Sequence, residues 1–582
     1  MRPTPVQRLR EYARGLLLPP DPNDDSRACA WAKEIPVSPR NMHLLALLLL
    51  GLPIASYWIH LLCFAANAPF IDDYDVVLGS TNRFITTSGL SGKVGALWAQ
   101  HNEHRLFIPR VVALLQYYLL GHVNFRHLTF LGNLLWSASL VLIIREHRKR
   151  AQLPLLFYVP LSFLWFSLVH HENTFWAMAG LQNYGAIFFS VVALRCLLSG
   201  KALSACLACA AGVLTSLMCW PLFVLCIALA LVRRTWRQAA ALAGTALFLA
   251  ILYFHRYTPT SGHPLVSVAV LDLEVTLAYG LAVMGSVVRH AGYSITLGLF
   301  SVAAILYLVF LRKTSPWSIA LALLALLQAA TIAIGRSGYG GARYEGAVIA
   351  SRFTSTSILA AIALYLLVLD SMQDPRRAAK SLLLVSLLAM TYCFAMTAKI
   401  DIFGDLAREN SERENSMASY VPHDRLPLYC DGPSALCEPT LLQSKALGVF
   451  DYNAAALGSR RKPEIRFGPF LPSLAMTNKI EFYDGARMQG WALIPEGFAT
   501  KQKTYLVLTG GSEPSYWIPT EHARRPDASV SQHVQFDYDM NGFEAFPALY
   551  DVPEDDYRVG IAISTANGLS MKWTDRTYRP TH

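Results

Sequence analysis

The sequence predicts a polytopic α-helical membrane protein with about 11 spans and a C-terminal extracytoplasmic β-sandwich domain. Three observations predict this class: 53% of the 582 residues are hydrophobic, only 15% are charged, and long apolar runs give way to short alternating runs from Lys479 onward. A soluble globular protein carries about 25% charged residues, so an ordinary soluble enzyme is excluded. Disordered and collagen-like chains are excluded because the 36 glycines and 31 prolines show no period and the apolar content is high.

The net charge of +10 comes from 50 Lys and Arg residues against 40 Asp and Glu residues. In a membrane protein this excess indicates cytoplasmic loops that face anionic lipid, so we expect membrane lipid as a partner and no nucleic acid. No Walker A sequence occurs, and Cys206 and Cys209, which have the CxxC spacing, lie in an apolar run as small core residues rather than as a zinc pair. The sequence therefore predicts neither a nucleotide-binding loop nor a structural zinc site.

The predicted spans follow from apolar runs and from the basic clusters between them. The run from about Met42 to Ala65 is long enough to cross a hydrocarbon core of ~30 Å. The polar stretch before it is too long for a signal peptide, so this run is predicted to be an uncleaved first span with a cytoplasmic N-terminus. The predicted spans begin near Met42, Leu128, Leu155, Tyr184, Ala202, Leu217, Ala239, Thr296, Ser318, Phe353 and Ser381.

Two further apolar stretches, Arg105 to Gly121 and Val266 to Val288, are predicted to lie at the outer interface or to be re-entrant. If both cross, the count rises to about 13 and the C-terminus stays outside, but the basic cluster at Arg145 changes sides; about 11 is therefore preferred. The predicted organisation is a cytoplasmic segment 1–41, a transmembrane domain 42–400 with outer loop 66–126, an extracytoplasmic linker 401–478 and a β-sandwich 479–582.

The C-terminal part predicts an antiparallel β-sandwich of about 100 residues, because short alternating runs are separated by glycines. The predicted strands are Lys479–Tyr483, Gln489–Leu493, Thr504–Leu508, Ser515–Ile518, His533–Tyr538, Tyr557–Ile563 and Ser570–Trp573. In the linker, Cys430 and Cys437 flank a short polar segment. We expect them to form a disulfide, which suits an oxidising compartment.

The first candidate site is the acidic pair Asp72 and Asp73, which follows an apolar Pro-Phe-Ile anchor directly after the first span. A solvated acidic loop is the simpler interpretation. Carboxylates at a membrane boundary are costly to desolvate, however, and polar groups at this depth commonly serve a function. The functional interpretation is therefore preferred.

The second candidate group lies at the start of a hydrophobic segment and consists of His101, Glu103, His104 and Arg105. His101 and Arg105 are four residues apart, so they share a face if the segment is helical. The group is predicted to contact a donor, an acceptor or a phosphate; the alternative is an interfacial helix with a polar cap. The two histidines with Asp72 or Asp73 are also able to bind a divalent metal, but no spacing requires one.

The third candidate group lies in a predicted outer loop without Lys or Arg and consists of His170, His171, Glu172, Asn173 and Trp176, followed by Gln182 and Asn183. The combination resembles a sugar-binding surface, because aromatic faces stack on pyranose rings while amides and carboxylates bind hydroxyls. A tryptophan of the interfacial belt in an ordinary polar loop is the equally weighted alternative.

The fourth candidate group consists of Arg336, Arg343 and Arg352, which lie outside in the preferred topology and so run against the positive-inside bias. Guanidinium groups suit bidentate phosphate binding. Arg352 lies at the mouth of a predicted span, where a lipid-linked phosphate would lie. Three unrelated loop arginines, neutralised by Glu345 and lipid, are the alternative.

The chain as a whole resembles the GT-C glycosyltransferases, which are integral membrane enzymes that use polyprenyl-phosphate sugars. The local match is Phe70-Ile71-Asp72-Asp73, which is similar to the acidic pair of the protein mannosyltransferase and aminoarabinose transferase branch. The stretch His101 to Gly121 takes the place of that branch's second juxtamembrane segment, but it has His-Asn-Glu-His-Arg where the family has Lys-Pro-Pro. The C-terminal part resembles β-sandwich modules of bacterial surface-polysaccharide enzymes, with a carbohydrate-binding role or a structural lid role equally open.

The resemblance implies an inverting sugar transfer at the outer face of the bacterial inner membrane. Asp72 or Asp73 would accept the proton of an acceptor hydroxyl, and the arginines would stabilise the leaving polyprenyl phosphate. The acceptor would be a glycan or a lipid-linked molecule; the reaction needs no nucleotide site, and a divalent metal stays open as a cofactor. A polysaccharide polymerase or ligase, and a transporter or flippase of lipid-linked glycan, remain as alternatives.

Overall fold

The computed structural model divides the chain into two compact units. The helical unit comprises Met1–Ala65 and Gly79–Asp405, and the C-terminal unit comprises Ala66–Leu78 and Leu406–His582. The structure describes residues 39–258, 272–311, 314–337, 350–372, 375–401, 413, 417, 434–451, 464–465, 476–483, 488–494, 503–510, 515–523, 542–547, 550, 552–565 and 568–580.

Helices account for most of the described residues of the helical unit. Their bounds are α1 (Pro39–Phe64), α2 (Ser80–Thr86), α3 (Leu90–Trp98), α4 (Phe107–Leu120), α5 (Phe125–Ala151), α6 (Val159–Trp165), α7 (His171–Phe175), α8 (Ala177–Leu198), α9 (Ala202–Thr215), α10 (Leu217–Val232), α11 (Trp236–Phe254), α12 (Leu273–Met284), α13 (Ala291–Leu311), α14 (Pro316–Arg336), α15 (Ser351–Ser371) and α16 (Pro375–Asp401).

Eight helices within the described part of the chain are long and apolar enough to cross a membrane: α1, α5, α8, α11, α13, α14, α15 and α16. Their outward faces are apolar, as on α1, where Leu48 and Leu62 are exposed. Large aliphatic side chains at such positions suit a hydrocarbon environment rather than water. The helical unit therefore has the features of a membrane-embedded protein.

Three of the predicted spans are shorter or broken in the structure. A break at Ser216 separates the end of α9 from the start of α10. The 14 residues of α9 measure only about 21 Å. The run from Leu155 forms a 3₁₀ turn and then the seven residues of α6. The turn follows Pro154. Proline and the residue before it disfavour a continuous α-helix, so the helix cannot extend through this position. The stretches expected at the interface contain the short helices α4 and α12.

The C-terminal unit contains two antiparallel sheets, with strand orders β1-β5-β4-β8-β9 and β2-β3-β7-β6. Six of the predicted runs coincide with strands of these sheets, and His533–Tyr538 lies outside the described residues. The bounds are β1 (Glu464–Ile465), β2 (Thr477–Tyr483), β3 (Met488–Leu493), β4 (Lys503–Thr509), β5 (Tyr516–Pro519), β6 (Glu521–Ala523), β7 (Gly542–Ala545), β8 (Tyr557–Thr565) and β9 (Gly568–Tyr578).

The cysteines separate into two kinds. Cys437, in a helix over Ser434–Ala446, is disulfide-bonded, and its predicted partner Cys430 lies outside the described residues. The cysteines of the helical unit that the structure describes are free thiols, and all but Cys63 are buried. Pairing of Cys430 with Cys437 therefore stays a prediction.

Candidate functional site

The loop between α3 and α4 is held against the end of α11. The side-chain amide of Gln100 accepts a hydrogen bond from the backbone nitrogen of Thr258 at 3.0 Å and donates to its carbonyl at 2.6 Å. His101 and His104 exchange backbone hydrogen bonds of 2.8 and 2.9 Å, which close a tight turn around Glu103. The loop therefore presents Glu103 from a fixed backbone.

Glu103 pairs with Arg336, and this contact joins the second predicted group to the fourth. Nη2 of Arg336 lies 2.6 Å from Oε1 of Glu103, and Nε2 of His104 lies 3.2 Å from the same oxygen. Because the backbone N–H of Leu217 donates to Nδ1 of His104 at 3.2 Å, a neutral imidazole carries its proton on Nε2 and donates it to Glu103.

The electrostatics of this pair favour an ionised carboxylate. Burial acts to raise the pKa of Glu103, but His104 and Arg336 outweigh burial and hold that pKa well below its usual range. Both side chains of the Glu103–Arg336 pair remain partly accessible to solvent. The pair is therefore a charged group at the last residue of α14, close to the break that follows α9.

Arg352 pairs with Glu172, and this second contact joins the fourth predicted group to the third. Nη1 of Arg352 lies 3.0 Å from Oε2 of Glu172, and the hydroxyl of Ser351 accepts a hydrogen bond from the backbone nitrogen of Glu172 at 3.0 Å. The guanidinium lies 5.8 Å from the ring centroid of Trp176 and 5.3 Å from that of Phe353. Arg352 thus has a carboxylate and two aromatic rings beside it.

Asn173 fixes the backbone of Arg352. Its Nδ2 donates to the carbonyl of Arg352 at 2.8 Å, and its Oδ1 accepts from Nδ2 of Asn183 at 2.7 Å. Asn173 is fully buried. The structure therefore uses this amide within the fold, while its predicted role in substrate binding stays a prediction.

Tyr279 links the two arginine–glutamate pairs. Burial raises the pKa of this α12 tyrosine to about 12, while the positive charges of Arg336 and Arg352 act in the opposite direction. Both guanidinium groups therefore lie near enough to influence one phenol. A single tyrosine in an apolar stretch has no sequence signature, so Tyr279 was not among the predicted site residues.

Arg289 is a third cation of this region, and it follows α12 directly after a 3₁₀ turn. Burial lowers the pKa of His171 to about 4, and the positive charge of Arg289 adds to that effect. Burial lowers the pKa of Arg289, and the negative charge of Glu172 partly offsets that effect. Arg289 was not among the predicted site residues. Its position directly after the predicted outer stretch Val266 to Val288 is the sequence feature by which it could have been selected.

His170, next to His171, belongs to a different environment. Nε2 of His170 donates to the carbonyl of Trp165 at 3.1 Å, so its Nδ1 accepts the hydroxyl proton of Tyr184 at 2.5 Å. Burial lowers the pKa of His170 to about 4. The network that surrounds it is fully buried and connects His170, Thr174, Tyr184, Tyr57 and Asn133.

Arg105 connects the ends of two helices. Its Nε, Nη1 and Nη2 donate to the carbonyls of Tyr253, Trp98 and His255 at 2.6, 2.7 and 2.8 Å. Carbonyls at helix C-termini lack intrahelical partners, and a guanidinium satisfies them. These contacts hold the guanidinium in the fold, and a role of Arg105 in substrate binding stays a prediction.

The acidic pair lies in the C-terminal unit, in the segment 66–78. Oδ2 of Asp73 accepts a hydrogen bond from the backbone nitrogen of Phe70 at 3.0 Å, and Asp73 is fully buried. Ile71 has φ 47°, a left-handed conformation that is uncommon for a β-branched residue. Asp72 is only half-buried. The two carboxylates therefore have different surroundings. Asp73 accepts the hydrogen bond that closes the turn, whereas Asp72 directly follows the strained residue Ile71.

Two predictions concern Arg343 and a metal site. Arg343 lies outside the described residues. Within the residues that the structure describes, no cluster of three or more His, Cys, Asp or Glu side chains is arranged to hold a metal ion. The charged pairs Glu103–Arg336 and Glu172–Arg352 are therefore taken as the candidate site.

Comparisons with known proteins identify no relative. No protein-family model, no characterised protein and no solved structure matches the chain. A functional assignment consequently depends on the residues and on their geometry.

Proposed function

We propose that the protein is a membrane glycosyltransferase that moves a sugar from a polyprenyl-phosphate donor to a cell-surface glycan or lipid-linked acceptor. The observation that carries this proposal is the presence of two arginine–glutamate pairs, Arg352–Glu172 and Arg336–Glu103, at the ends of apolar helices. Arg336 ends α14 and Arg352 lies in the first turn of α15. Charged groups at the ends of apolar helices are costly to desolvate and commonly mark function.

A phosphate monoester or diester suits this region electrostatically. The guanidinium groups of Arg289, Arg336 and Arg352 bring three positive charges to this region, beside the carboxylates of Glu103 and Glu172. The contact of the Arg352 guanidinium with Glu172 uses Nη1, and a guanidinium has five N–H donors in a planar fork. Arg352 is therefore the residue that we expect to contact the donor phosphate, with Arg336 supporting it.

Trp176 and Glu172 provide the groups that a sugar requires. The ring of Trp176 is buried beside the Arg352 guanidinium, so a pyranose bound next to the phosphate would meet its aromatic face once the side chains that cover it move. The carboxylate of Glu172 would accept hydrogen bonds from its hydroxyls. This juxtaposition favours a phosphosugar over a simple phospholipid headgroup.

Asp72 is the general base of the proposed reaction. It takes the proton of the acceptor hydroxyl while that oxygen forms a bond to the anomeric carbon. The bond between this carbon and the phosphate oxygen breaks, and the phosphate leaves with the electron pair. Arg352 and Arg336 stabilise the developing charge, and the configuration inverts.

The finer architecture is proposed together with this function. We expect about 11 spans, a cytoplasmic N-terminus and an extracytoplasmic C-terminal part in a bacterial inner membrane. Support for a β-sandwich comes from an apolar core that Met488 and Ala545 of one sheet share with Leu506 and Val559 of the other. Residues from both inner faces in one core are typical of packed sheets.

The test uses full-length protein in lipid nanodiscs with a panel of polyprenyl-phosphate hexoses and pentoses. Release of polyprenyl phosphate is measured by mass spectrometry, because this product is common to every acceptor. We expect Asp72→Asn to lower release by about 10²–10⁴-fold, the usual contribution of a general base, while donor binding is kept. Asp75→Asn, three residues further along the loop, is the matched control and should retain activity.

Other outcomes contradict the proposal in distinct ways. Full activity of Asp72→Asn would remove Asp72 from the mechanism. If the wild-type protein releases no polyprenyl phosphate but moves a lipid-linked glycan across a liposome membrane, the protein is a flippase. If it transfers whole oligosaccharides and no single sugar, it is a polymerase or ligase.

A further inference from the structure

The acidic loop belongs to the same compact unit as the C-terminal chain. The segment Ala66–Leu78 groups with Leu406–His582, although more than 300 residues separate them in sequence. The chain on both sides of this segment, in contrast, belongs to the helical unit. The loop that contains Asp72 therefore groups with the C-terminal chain and not with the helices that flank it in sequence.

Two buried residues of the C-terminal chain make these contacts. The guanidinium of Arg413 lies 4.5 Å from the ring centroid of Phe70, and its Nη2 donates to the carbonyl of Ala68 at 3.4 Å. The hydroxyl of Tyr74 lies 4.0 Å from the Sδ atom of Met417. Arg413 and Met417 are both buried.

These contacts lie on both sides of the strained residue of the loop. Arg413 contacts Ala68 and Phe70 before Ile71, and Met417 contacts Tyr74 after it. A left-handed conformation at a β-branched residue persists only where the surrounding structure enforces it. The contacts from the C-terminal chain supply such enforcement.

We propose that Arg413 is a positioning residue that holds Asp72 in its working geometry, so that the C-terminal chain controls the acidic loop. This inference rests on the proposed function, because it assigns Asp72 a geometry that matters for proton transfer. Arg413 acts through Phe70 and Ala68 and has no assigned contact with the donor. Its loss should therefore lower kcat and leave the KM for the donor unchanged.

The first experiment needs no substrate. Hydrogen exchange of the peptides covering 66–78 is compared in full-length wild-type protein, Arg413→Ala, Arg413→Lys and Arg579→Ala, all in nanodiscs. Arg579 is the matched control, because it is an exposed arginine of the same unit. We expect faster exchange in 66–78 for Arg413→Ala, an intermediate rate for Arg413→Lys and the wild-type rate for Arg579→Ala.

The second experiment separates positioning from a general loss of structure. Phe70→Leu removes the ring that Arg413 contacts, so the effect of Arg413→Lys on exchange should shrink in the Phe70→Leu background. The exchange of α5 and α15 should stay at the wild-type rate in every variant. Undiminished effects in the double variant, or faster exchange throughout, would overturn the positioning role.

The two proposals fail separately. If exchange in 66–78 is the same in Arg413→Ala and wild type, Arg413 does not position the loop, whatever the enzyme does. If exchange changes as expected but the wild-type protein transfers no sugar, the structural link stands and the proposed function fails. If both experiments succeed, we expect kcat of Arg413→Lys to fall about tenfold with an unchanged donor KM.

Discussion

Two arginine–glutamate pairs of the helical unit have similar geometry in different surroundings. Arg352 lies 3.0 Å from Glu172, and Arg195 lies 2.9 Å from Glu146, while the two arginines are 32% and 34% exposed. The carboxylates differ, because Glu172 is 25% exposed and Glu146 only 6%. Glu146 also accepts from Lys149 at 2.9 Å, so two cations neutralise it.

The difference shows that an ion pair alone does not indicate a binding site. The Glu146 pair holds the C-terminal parts of α5 and α8 together with a buried, doubly neutralised carboxylate. The Arg352 pair is open on both partners and has Trp176 and Phe353 beside it. A further anion is accommodated more readily where the carboxylate is accessible and other cations are close.

The largest expected effect concerns pH, because two buried histidines, His170 and His171, directly precede Glu172 in the chain. Burial lowers the pKa of His170 from 6.5 to about 4. As the pH falls, this histidine therefore becomes protonated at a higher pH in the unfolded state than in the folded state. The stability that neutral His170 contributes is complete above pH 6.5 and is lost between pH 6.5 and 4. At about 1.4 kcal/mol per pKa unit, this loss is of the order of 3 kcal/mol.

Unfolding temperature measured from pH 7 to pH 4 in detergent checks this expectation. His170→Gln should flatten the decline, whereas His127→Gln, at an exposed histidine, should follow the wild-type curve. An unchanged slope in His170→Gln would show that this histidine does not cause the loss of stability at low pH.

The second effect concerns donor affinity. Arg352→Lys should weaken binding of a polyprenyl-phosphate sugar tenfold to hundredfold, about 1.4 to 2.7 kcal/mol, because lysine lacks the planar fork for two parallel hydrogen bonds. Arg195→Lys is the matched control and should leave the affinity within about twofold of wild type. Equal affinities of both variants, measured by native mass spectrometry, would contradict the distinction between the two pairs.

The smallest effect concerns the carboxylates. Glu146→Gln leaves Arg195 and Lys149 without their anion and should lower the unfolding free energy by about 1 to 2 kcal/mol. Glu172→Gln should cost under about 1 kcal/mol, because its pair is open to solvent. Since Glu172 competes with phosphate for Arg352, the same variant should bind polyprenyl phosphate as tightly as wild type or more tightly. Thermal unfolding and phosphate binding of both variants check the comparison, and a larger loss of stability at Glu172 would reverse it.

Elements that depend on local pattern were predictable. Apolar runs gave the positions of helices such as α5 and α14, and period-two alternation gave strands such as β4 and β8. The predicted starts near Ala202 and Leu217 coincide with the first residues of α9 and α10, but the shortness of α6 was not predictable, because an apolar run does not reveal where packing interrupts a helix. Tertiary contacts decide such interruptions, as the hydrogen bond from Leu217 to His104 illustrates.

The candidate site was predictable in its residues but not in its pairings. Arg336 and Glu103 are 233 residues apart in sequence, and Arg352 and Glu172 are 180 residues apart. His170 and His171 are identical neighbours in sequence, yet one joins a buried network and the other adjoins Arg289. Adjacent positions on a helix point about 100° apart, so packing assigns them to different environments.

By itself the sequence determined an apolar helical chain with a β-rich C-terminal part and a set of charged residues at helix ends. Hydrophobic periodicity and charge are properties of short segments, so they survive without knowledge of the fold. Only the tertiary structure decided that Arg352 meets Glu172, that Arg105 serves carbonyls, and that the Asp72 loop packs with Arg413. Ion pairs and hydrogen bonds act over a few ångströms, and the distances between remote segments are set by the folding of the whole chain.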